Sequence, residues 1–570
     1  MSMANIVRRS FNVDAADALV KDGVMPLLAR VLAARGIQQS TQLDVSLAKL
    51  IPPEQLTNAS QMAGLLADAI SQKQSLLVIG DYDCDGATAT AVAVRGLRSM
   101  GAQVNYLVPN RFEYGYGLTP EIVELAAKAK PDIIITVDNG IASVDGVKKA
   151  NSLGIKVLVT DHHLPGDETP TAACIVNPNQ HGCDFPSKNL AGVGVIFYVM
   201  LALRAELRGR GNFLDRLEPK LTELLDLVAL GTVADLVRLD DNNRILVEQG
   251  LRRIRAGRAC PAISALLKLA GRDASKVNAQ DLGFSVGPRL NAAGRLDDMA
   301  LGIACLISDD EVEATVMAQR LHTMNLERRA IEADMQEAAN ISLEEVDVAG
   351  QFSLIIFEPD WHQGVIGILA SRLKEQYHRP VIAFALGADG NLKGSGRSIK
   401  GLHLRDALDL VSKRHPDLIL KFGGHAMAAG LTISRQGFDL FKRAFEEVAA
   451  SLLTPADLDA VIETDGSLAA HEIDWDVAAA LDKQVWGQGF PAPLFSDEFV
   501  VKLQKVVGER HLKLSLEKAG DQTGRMMDAI YFQQDTFLPS KVLVVYELQV
   551  NEFNGRKGVQ LNVRRSFPLE

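Results

Sequence analysis

The sequence predicts a multidomain α/β protein with a parallel-sheet domain, a long connecting helix, a second α/β domain and a small C-terminal β-barrel of the OB type. Three observations support this prediction. Strand and helix signals alternate between residues 60 and 265, residues 308–349 contain neither Gly nor Pro, and residues 460–570 alternate apolar and polar side chains in short runs. At 570 residues the chain is too long for one hydrophobic core. We place the domains at residues 1–59, 60–307, 308–349, 350–455 and 460–570.

The composition is that of an ordinary globular protein, with 47% hydrophobic and 23% charged residues. No apolar stretch is long enough to span a bilayer, and residues 1–11 lack the apolar core of a secretory signal, so we expect a cytoplasmic protein. The five cysteines are scattered without a Cys-x-x-Cys pair, which predicts reduced thiols rather than disulfides or a zinc knuckle.

The net charge of −11 argues by itself against a nucleic-acid partner. Residues 497–570, however, carry 11 Lys and Arg against 10 Asp and Glu. The acidity therefore lies upstream, partly in an acidic motif near residue 80.

The first predicted strand, residues 75–79, is followed by three carboxylates at alternate positions, Asp81, Asp83 and Asp85. Alternate side chains of an extended chain share a face, so these three converge. Carboxylates this close repel and raise each other's pKa unless a cation lies among them. The pattern favours a metal site over the simpler interpretation, a solvated acidic turn.

A calcium-binding EF-hand loop is another alternative, because the three aspartates and Gly86 match its positions one, three, five and six. Position twelve is Val92, however, where an EF-hand requires Glu. The Ala- and Val-rich helix predicted from Ala87 to Met100 gives instead a strand–turn–helix unit.

Two further predicted strands end in acid or imidazole. Residues 133–137 are followed by Asp138-Asn139-Gly140, and residues 157–160 by Asp161-His162-His163. Helical stretches separate the strands, so we expect them to be parallel, with their carboxyl ends at one edge of the sheet. Ligands of open α/β sheets bind at that edge.

A further carboxylate follows the helical segment 221–230. Asp235 lies just beyond its end after a Gly-containing exit, whereas Asp226 lies within it. Chain position does not separate the two; we favour Asp235, because Asp226 among leucines is equally suited to a buried hydrogen bond. The segment 192–194 resembles the start of a dinucleotide fingerprint, but no strand precedes it, so we interpret it as close helix packing.

Apolar residues at three- to four-residue spacing between 321 and 335 predict the connecting helix. Apolar runs at 353–357 and 381–384 then restart an α/β pattern. Two glycine-rich loops in this domain, 394–398 and 423–425, let backbone N–H groups and an Arg approach an anion. A short glycine-rich turn usually binds no ligand. Because these turns are expected opposite a metal site, we favour phosphate binding by them.

The tail predicts barrel strands at 499–503, 511–516, 542–550 and 558–563, with a hairpin turn at Asn554-Gly555. Charged residues on a barrel exterior are mostly solvated, but a groove that tracks a single strand uses basic side chains of this kind. The candidates are Arg510, His511, Lys513, Arg556, Lys557 and Arg564.

Together these motifs resemble the DHH phosphoesterase superfamily, named for its Asp-His-His triplet, here residues 161–163. The resemblance covers essentially the whole chain and is close to the bacterial single-strand-specific exonucleases of that superfamily. It implies a DHH phosphoesterase domain, a DHH-associated domain at about 350–455 and an OB-type barrel that binds nucleic acid. The matching segments are GDYDCDG (80–86), TVDNG (136–140), TDHHLPG (160–166), LDLVALGTVAD (225–235), GPRLNAAGRLDD (287–298), HQGVIGILASRL (362–373) and FGGHAMAAG (422–430).

The resemblance implies a metal-dependent exonuclease that hydrolyses single-stranded DNA 5′ to 3′ to mononucleotides, in recombination and repair. Oxygen ligands with one imidazole suit Mn²⁺ or Mg²⁺, and phosphodiester hydrolysis uses two such ions roughly 3.5 to 4 Å apart. In the implied scheme Asp138 bridges the ions, His163 contacts the scissile phosphate and Asp161 orients the histidines. One ion is assigned to Asp81, Asp83 and Asp138, and the other to Asp85, Asp138, His162 and Asp235.

One position departs from the superfamily pattern. Members commonly carry a His four residues before an aspartate of the acidic motif, here Asp83; Ile79 stands at that place, and Asp81 is the expected substitute ligand.

The resemblance places the catalytic cleft between the two α/β domains. Its implied partners are single-stranded DNA, single-strand-binding protein and a helicase, with no membrane, and the chain is expected to be a monomer. The candidate contacts to phosphate and DNA backbone are Arg111, Arg289, Ser395, Arg397, His425, Arg510 and Lys513.

Two other functions are also considered. A small-substrate DHH phosphoesterase would act on oligonucleotides or nucleotide phosphates, but such substrates do not need the extended groove that the connecting helix and barrel imply. A non-catalytic single-strand-binding scaffold of the same fold is disfavoured because the metal-ligand set is intact.

Overall fold

Two separate stretches of chain make up the first of two structural units. A computed structural model describes residues 5–109, 114, 117–344, 348–508, 510–553 and 556–569. The first unit combines residues 8–322 with residues 463–570, and the second combines the N-terminal residues through Val7 with residues 323–462.

A five-stranded parallel sheet lies in the first unit. Its strands are β2 (Ser75–Gly80), β3 (Gln103–Leu107), β4 (Ile133–Val137), β5 (Lys156–Thr160) and β6 (Cys174–Val176). Their order is β3-β2-β4-β5-β6, and every neighbouring pair is parallel. β2 and β4 are buried along almost their whole length, as expected of strands covered on both faces. The carboxyl ends of β2, β4 and β5 therefore lie side by side, which confirms the prediction of a parallel sheet.

The first unit has helices before, between and after these strands. The helices Cys84–Ser99 and Leu225–Ala234 pack closely, because a Cβ added to Gly231 would lie 2.2 Å from Thr88 Oγ1. The helices are α1 (Val13–Lys21), α2 (Pro26–Ala33), α3 (Ala59–Ser71), α4 (Cys84–Ser99), α5 (Pro120–Ala127), α6 (Val144–Ser152), α7 (Gly192–Gly209), α8 (Leu225–Ala234), α9 (Asp241–Arg255), α10 (Pro261–Leu269), α11 (Ala279–Asp281), α12 (Gly287–Leu296) and α13 (Ala300–Ile307).

A closed five-stranded barrel completes the first unit, in the order β13-β14-β15-β17-β16, and confirms the predicted C-terminal barrel. We did not predict β15, because its buried residues Met527 and Ala529 are weak strand formers. The strands are β13 (Phe495–Val507), β14 (His511–Lys518), β15 (Met526–Phe532), β16 (Lys541–Phe553) and β17 (Arg556–Pro568). The predicted turn at Asn554-Gly555 lies outside the described residues.

The N-terminal helices are tied to the C-terminal stretch by ion pairs. Arg35 donates from Nη1 to Asp465 Oδ1 at 2.7 Å and from Nη2 to Asp465 Oδ2 at 3.0 Å. The two side chains are only 1% and 4% exposed, so this bidentate pair is buried. On α2, Arg30 pairs with Glu472 at 3.1 Å, just before α18 (Trp475–Asp482). Residues 8–59 therefore have a structural role that the sequence did not reveal.

The second unit has a mixed sheet in the order β10-β11-β9-β8-β7. β7 and β8 are parallel and the other pairs are antiparallel. Its core contains the aromatic side chains of Phe384, Phe441 and Phe445. The strands and helices are β7 (Leu354–Phe357), α15 (Ile366–Tyr377), β8 (Val381–Leu386), β9 (Leu392–Arg397), α16 (Leu404–Arg414), β10 (Ile419–Gly424), β11 (Ala428–Ile433) and α17 (Phe438–Leu452).

The predicted connecting helix is present as α14 (Glu311–Glu344), and the boundary between the units falls within it, after His322. A short two-stranded sheet pairs β1 (Asn5–Arg8) with β12 (Val461–Thr464). Among the described residues, no helix is both long enough and apolar enough to cross a membrane. All five cysteines are unpaired and buried.

Candidate functional site

The acidic motif forms the turn between β2 and α4. Asp83 is the N-cap of α4, and its Oδ1 accepts the Gly86 N–H at 3.0 Å. A Cβ on Gly86 would lie 2.6 Å from the Asp81 carbonyl oxygen, so the turn needs glycine there. Asp85 and Gly86 already belong to the first turn of α4, which excludes an EF-hand loop for this segment.

Asp138 occupies the centre of the cluster, directly after β4. Its backbone is left-handed, with φ of +62°, and its side chain is buried. The neighbouring Asn139 donates from Nδ2 to the carbonyl oxygens of Ile79 at 3.2 Å and Val137 at 2.9 Å. These bonds tie the ends of β2 and β4 together and hold the uncommon conformation of Asp138.

The Asp-His-His triplet follows β5, and its two imidazole rings, whose centroids are 4.5 Å apart, have different partners. Asp161 Oδ1 lies 2.7 Å from His163 Nδ1 and accepts the His162 backbone N–H at 2.7 Å, while Oδ2 accepts the Ile141 N–H at 2.8 Å. Asp161 thus contacts the ring of His163 but only the main chain of His162. Of the two rings, that of His163 is the more exposed, at 32% against 12% for His162.

The ring of His162 joins two carboxylates. Its Nε2 is 3.1 Å from Asp138 Oδ1 and 3.5 Å from Asp235 Oδ2. Asp235 is the C-cap of α8, just past the helix end as predicted. Asp226, the competing candidate, is instead fully buried and accepts the backbone N–H groups of Leu227 at 3.0 Å and Cys260 at 2.6 Å. The geometry therefore separates two residues that chain position left equivalent.

Asp85 is held by a feature that the sequence interpretation missed. Its Oδ2 accepts the Gly192 N–H at 2.6 Å and its Oδ1 accepts the Val193 N–H at 2.9 Å, both at the amino end of α7. We interpreted segment 192–194 as close helix packing; Gly192 is indeed closely packed, and in addition it positions a carboxylate. The available signal was a glycine pair opening a helix, an arrangement that presents N–H groups to an anion.

Seven residues form three overlapping groups of three, and within each group one ligand atom from each residue lies within 4.8 Å of the others. Five of the seven residues offer carboxylate oxygens and two offer imidazole, a composition that suits Mn²⁺ or Mg²⁺ better than zinc. The groups are Asp81, Asp83 and Asp138; Asp85, His162 and Asp235; and Asp138, His162 and His163. The first two match the ligand sets implied by the sequence, apart from the bridging Asp138 in the second set.

The carboxylates are electrostatically costly without a cation. Burial, followed by the charge of Asp83, raises the pKa of Asp85 to about 7. Burial and then the neighbouring carboxylates raise the pKa of both Asp138 and Asp235 well above its ordinary value. Because each charged form is disfavoured in the same way, a divalent cation that offsets the repulsion fits this donor set.

The pKa of His163 is shifted in the direction that favours its charged form, unlike the pKa values of these carboxylates. Burial acts to lower its pKa, but the hydrogen bond and charge of Asp161 outweigh burial and raise the pKa to about 9. For Asp161, burial acts to raise the pKa, and its bonds to His163 and Ile141 and the two histidine charges lower it overall. The pair is therefore an imidazolium held by a carboxylate at neutral pH.

Ile79, which stands where the superfamily commonly has His, is a core residue. It is 1% exposed and belongs to an apolar cluster with Leu77 and Ile134. Asp81 lies two residues later, and its Oδ1 accepts the Tyr82 N–H at 2.7 Å. Its carboxylate reaches the group with Asp83 and Asp138, as expected of a substitute ligand.

Two predicted phosphate contacts belong to the first α/β domain. Arg289, on α12, donates from Nε to His322 Nδ1 at 3.1 Å and from Nη1 to the Ser285 carbonyl oxygen. Helix α12 reaches the acidic turn, because a Cβ on Gly294 would lie 1.9 Å from the Tyr82 carbonyl oxygen. Arg111 lies outside the described residues.

Three predicted contacts lie together in the second unit. Ser395 and Arg397 are on β9, and Arg397 Nη1 donates to Ser395 Oγ at 3.2 Å and to the Gly396 carbonyl oxygen at 2.8 Å. Gly367, at the amino end of α15, approaches both side chains, since its added Cβ would be 2.9 Å from Ser395 Oγ and 3.1 Å from Arg397 Nη2. An exposed His425 follows β10. A helix amino end, a hydroxyl and a guanidinium thus converge, which is the chemistry of an anion site.

The barrel presents the remaining candidates. Arg510 and Lys513 are exposed, and Lys513 on β14 lies directly opposite Lys505 on β13. Two like charges directly opposite each other repel, and a bound polyanion would relieve that repulsion. The sequence interpretation missed Lys505.

The side chains of other barrel candidates are engaged by aromatic rings or by a carboxylate. His511 packs edge-on against the exposed Phe532, with 5.1 Å between ring centroids. Lys557 Nζ lies 5.3 Å from the ring centroid of Trp475. Arg564 is a weaker candidate than its charge indicated, because Glu547 accepts both its Nε and Nη2 at 2.8 to 3.0 Å. The side chain of Arg556 lies outside the described residues.

Comparison with protein families finds three matches in chain order. Residues 75–232 match the DHH family N-terminal domain, residues 349–451 the DHHA1 domain and residues 464–565 the RecJ OB domain.

Among curated proteins, the single-stranded-DNA-specific exonuclease RecJ of Salmonella typhimurium is 50% identical over 556 residues, which is 95% of this chain and 96% of that protein. The protein of the same name from Escherichia coli is also 50% identical over 556 residues, with the same shares covered. The one from Bacillus subtilis is 34% identical over 95% of this chain and 68% of its own length.

Two solved structures are similar to the chain. RecJ in complex with Mn²⁺ from Thermus thermophilus has a TM-score of 0.83 at 29% identity and covers 99% of this chain and 79% of that one. A structure of exonuclease RecJ bound to manganese has a TM-score of 0.60 at 35% identity, covering 70% of this chain and 96% of that one.

Proposed function

The chain belongs to the RecJ family of single-stranded-DNA-specific exonucleases, and from that membership we propose that it degrades single strands from the 5′ end to mononucleotides, in recombination and repair. It is a single-strand DNA exonuclease that uses Mn²⁺ or Mg²⁺. The observation that carries the mechanism is the convergence of three ligand groups on Asp138 and His162.

The proposed division of ligands is as follows. Asp81, Asp83 and Asp138 would hold one ion, and Asp85, His162 and Asp235 would hold a second with the help of Asp138. Two divalent ions, when bound, supply an activated water and neutralise charge on a phosphodiester.

The protein itself fixes the orientation of these ligands. The N–H groups of Gly192 and Val193 hold both oxygens of Asp85. Asn139, the residue after Asp138, joins the ends of β2 and β4 through its hydrogen bonds to Ile79 and Val137. A ligand oriented by main-chain contacts, as Asp85 is, supports a site that does not have to rearrange during hydrolysis.

His163 is proposed to contact the scissile phosphate. Asp161 lies at its Nδ1, which leaves Nε2–H as the ring group that would donate to a phosphate oxygen. A cationic imidazole placed there stabilises the negative charge that builds up during phosphodiester hydrolysis. The hydrogen bond and the charge of Asp161 raise the pKa of His163 and so favour the protonated ring.

The 5′ polarity rests on the second unit. Ser395, Arg397 and the amino end of α15 are proposed to bind a terminal 5′-phosphate, because together they offer a hydroxyl, a guanidinium and main-chain N–H groups. His425 is assigned to the same contact, and Arg111 and Arg289 to the DNA backbone.

The barrel is proposed to track the strand beyond the cleavage site, through Lys505, Arg510 and Lys513. A small-substrate phosphoesterase has no use for such a surface, and the curated relatives are named for single-stranded DNA. We further propose that the chain acts as a monomer in the cytoplasm, beside single-strand-binding protein and a helicase that supplies the strand.

The test is the order of nucleotide release. Single strands labelled at either the 5′ or the 3′ terminal nucleotide are digested with Mn²⁺, with a blunt duplex of the same sequence as control. The proposal expects the 5′ label to appear first as a mononucleotide and the duplex to resist. Release of the 3′ label first would overturn the polarity, and equal digestion of the duplex would overturn the strand specificity.

A further inference from the structure

A cavity of about 610 Å³ lies in the first unit, away from the ligand groups. Its walls come from the carboxyl end of α4, the segment before α8, one residue of α9, the amino end of α10 and the residues after α13. Its volume falls within the roughly 300–1,000 Å³ range of small-molecule sites.

The cavity is basic although the chain as a whole is acidic. Four cationic side chains line it, Arg95, Arg98, Lys220 and Arg253, against two anionic ones, Glu223 and Asp309. The net positive lining contrasts with the chain's formal charge of −11. A concave wall with an excess of cations concentrates anions.

The charged groups of two of the cations have no partner among the described residues. The side chains of Arg98 and Lys220 form neither an ion pair nor a hydrogen bond there, and both are exposed at the cavity. Arg95 differs, because it is anchored to Asp309 and to the Ile307 carbonyl oxygen, the latter at 2.8 Å. Arg95 therefore shapes the wall, while Arg98 and Lys220 are available to a ligand.

Arg253 adds an independent indication. Its Nε is buried and has no hydrogen-bond acceptor among the described residues; the nearest carboxylate oxygen, Asp226 Oδ1, is 3.8 Å away. Asp226 is already occupied by the N–H groups of Leu227 and Cys260. The Arg253 side chain is 22% exposed and lines the cavity, so the outer part of its guanidinium can reach an anionic ligand there.

The walls add two favourable features. Cys260 and Pro261, at the N-cap and first turn of α10, line the cavity, and that first turn contains no acidic residue. The Cys260 N–H is donated to Asp226, so the helix dipole, and not this N–H, adds to the positive potential of the arginines. Pro219, Pro261 and Ile307 line the cavity and are partly exposed, so they offer an apolar surface on which a planar ring can pack.

We propose that this cavity binds a small phosphorylated ligand of nucleotide size, with the phosphate at Arg98, Lys220 and Arg253 and the base against the apolar wall. The enzyme's own 5′-mononucleotide product and the free nucleoside diphosphates of the cell share this chemistry. The site is separate from the ligand groups and from the Ser395–Arg397 site.

Binding is measured by calorimetry on the full chain carrying Arg397→Ala, in EDTA, so that neither the metal ions nor the proposed 5′-phosphate site contributes. The probes are dAMP, ADP and inorganic phosphate. We expect dAMP or ADP to bind with a Kd below about 1 mM and phosphate alone at least about tenfold more weakly. Preference for dAMP assigns the site to product, and preference for ADP assigns it to the nucleotide pool.

The double variant Arg98→Glu/Lys220→Glu, in the same background, is expected to lose at least about tenfold in affinity. Both side chains are exposed and unpaired, so the fold should survive; circular dichroism and the melting temperature check this. Lys148→Glu, an exposed position on α6, is the matched control and should bind as the background does. Absence of nucleotide binding, tighter binding of phosphate alone, or unchanged affinity in the double variant would each overturn the proposal.

Discussion

Gly192 lies so close to Asp138 that a Cβ on Gly192 would be 2.5 Å from the Asp138 Cβ. The same residue donates its N–H to Asp85. Gly192 thus sets the distance between the amino end of α7 and two proposed metal ligands, Asp85 and Asp138. A side chain at position 192 would displace the helix end or one of these two aspartates.

We predict that Gly192→Ala lowers kcat by about a hundredfold or more, because a displacement of about 1 Å among reacting groups has that effect. Gly194→Ala is the matched control on the same helix: its added Cβ would meet only the Leu190 side chain, at 3.1 Å. The measurement is the initial rate on single-stranded DNA at saturating Mn²⁺. Equal rates for the two variants would show that the close approach has no catalytic consequence.

Asp138→Ala should abolish hydrolysis while leaving binding of single-stranded DNA intact. Asp138 belongs to two of the three ligand groups, and no neighbouring residue duplicates it. Turnover is compared with affinity for a labelled strand, and Asp132→Ala, at the opposite end of β4, is the control. A variant that kept a tenth of the wild-type rate, a loss of only about 1.4 kcal/mol in barrier, would remove Asp138 from its assigned role.

Asp81→Ala should raise the Mn²⁺ concentration needed for half-maximal activity. Asp81 reaches only the group with Asp83 and Asp138, so the other ligand set stays intact. Activity is titrated against Mn²⁺ in wild type and variant. An unchanged curve would show that the carboxylate merely caps the strand. Ile79→His is not expected to rescue the variant, because Ile79 packs inside an apolar cluster.

The stabilisation of the protein by Mn²⁺ should grow with pH. A carboxyl whose pKa is raised on folding stabilises the fold while it is protonated, so the contribution of Asp85 is complete below pH 3.8 and is lost as the pH rises through about 7. Bound metal replaces those protons and removes the repulsion. We expect the melting-temperature difference between Mn²⁺ and EDTA to increase from about pH 5 to about pH 8. A constant difference would contradict the buried-charge account.

Arg397→Ala should slow digestion of a 5′-phosphorylated strand more than that of a 5′-hydroxyl strand. Its guanidinium would pair with the terminal phosphate beside Ser395. Initial rates on both substrates are compared at fixed salt, because general backbone contacts are salt-dependent. Arg405→Ala, an exposed position on α16, is the control. Equal losses on the two ends would reassign Arg397 to backbone binding.

Much of the sheet edge could be predicted from the sequence, because strand signals and terminal acids occur together. The runs before Asp81, Asp138 and Asp161 are continuous and apolar, so their strands and shared edge follow from local pattern. The choice of Asp235 over Asp226 was less secure. Only the three-dimensional packing shows that Asp226 is occupied by the main chain of Cys260, which lies 34 residues away.

The remaining features of the site and of the barrel depend on contacts between segments far apart in the chain, which no local sequence pattern encodes. Gly192 and Val193 meet Asp85 across more than a hundred residues. Strand β15 was missed because its buried positions carry Met527 and Ala529. Arg564 was named from its charge alone, and its pairing with Glu547 became visible only in the cross-strand register.

The buried pair of Arg35 and Asp465 has a consequence for biosynthesis. Arg35 emerges from the ribosome early, whereas its only bidentate carboxylate among the described residues is made more than four hundred residues later. The nascent chain therefore carries an uncompensated guanidinium, together with the apolar faces of α1 and α2, until synthesis is almost complete. A transcript that stops before Asp465 would yield a polypeptide with every proposed metal ligand but without this ion pair and the barrel, exposed to proteases and chaperones.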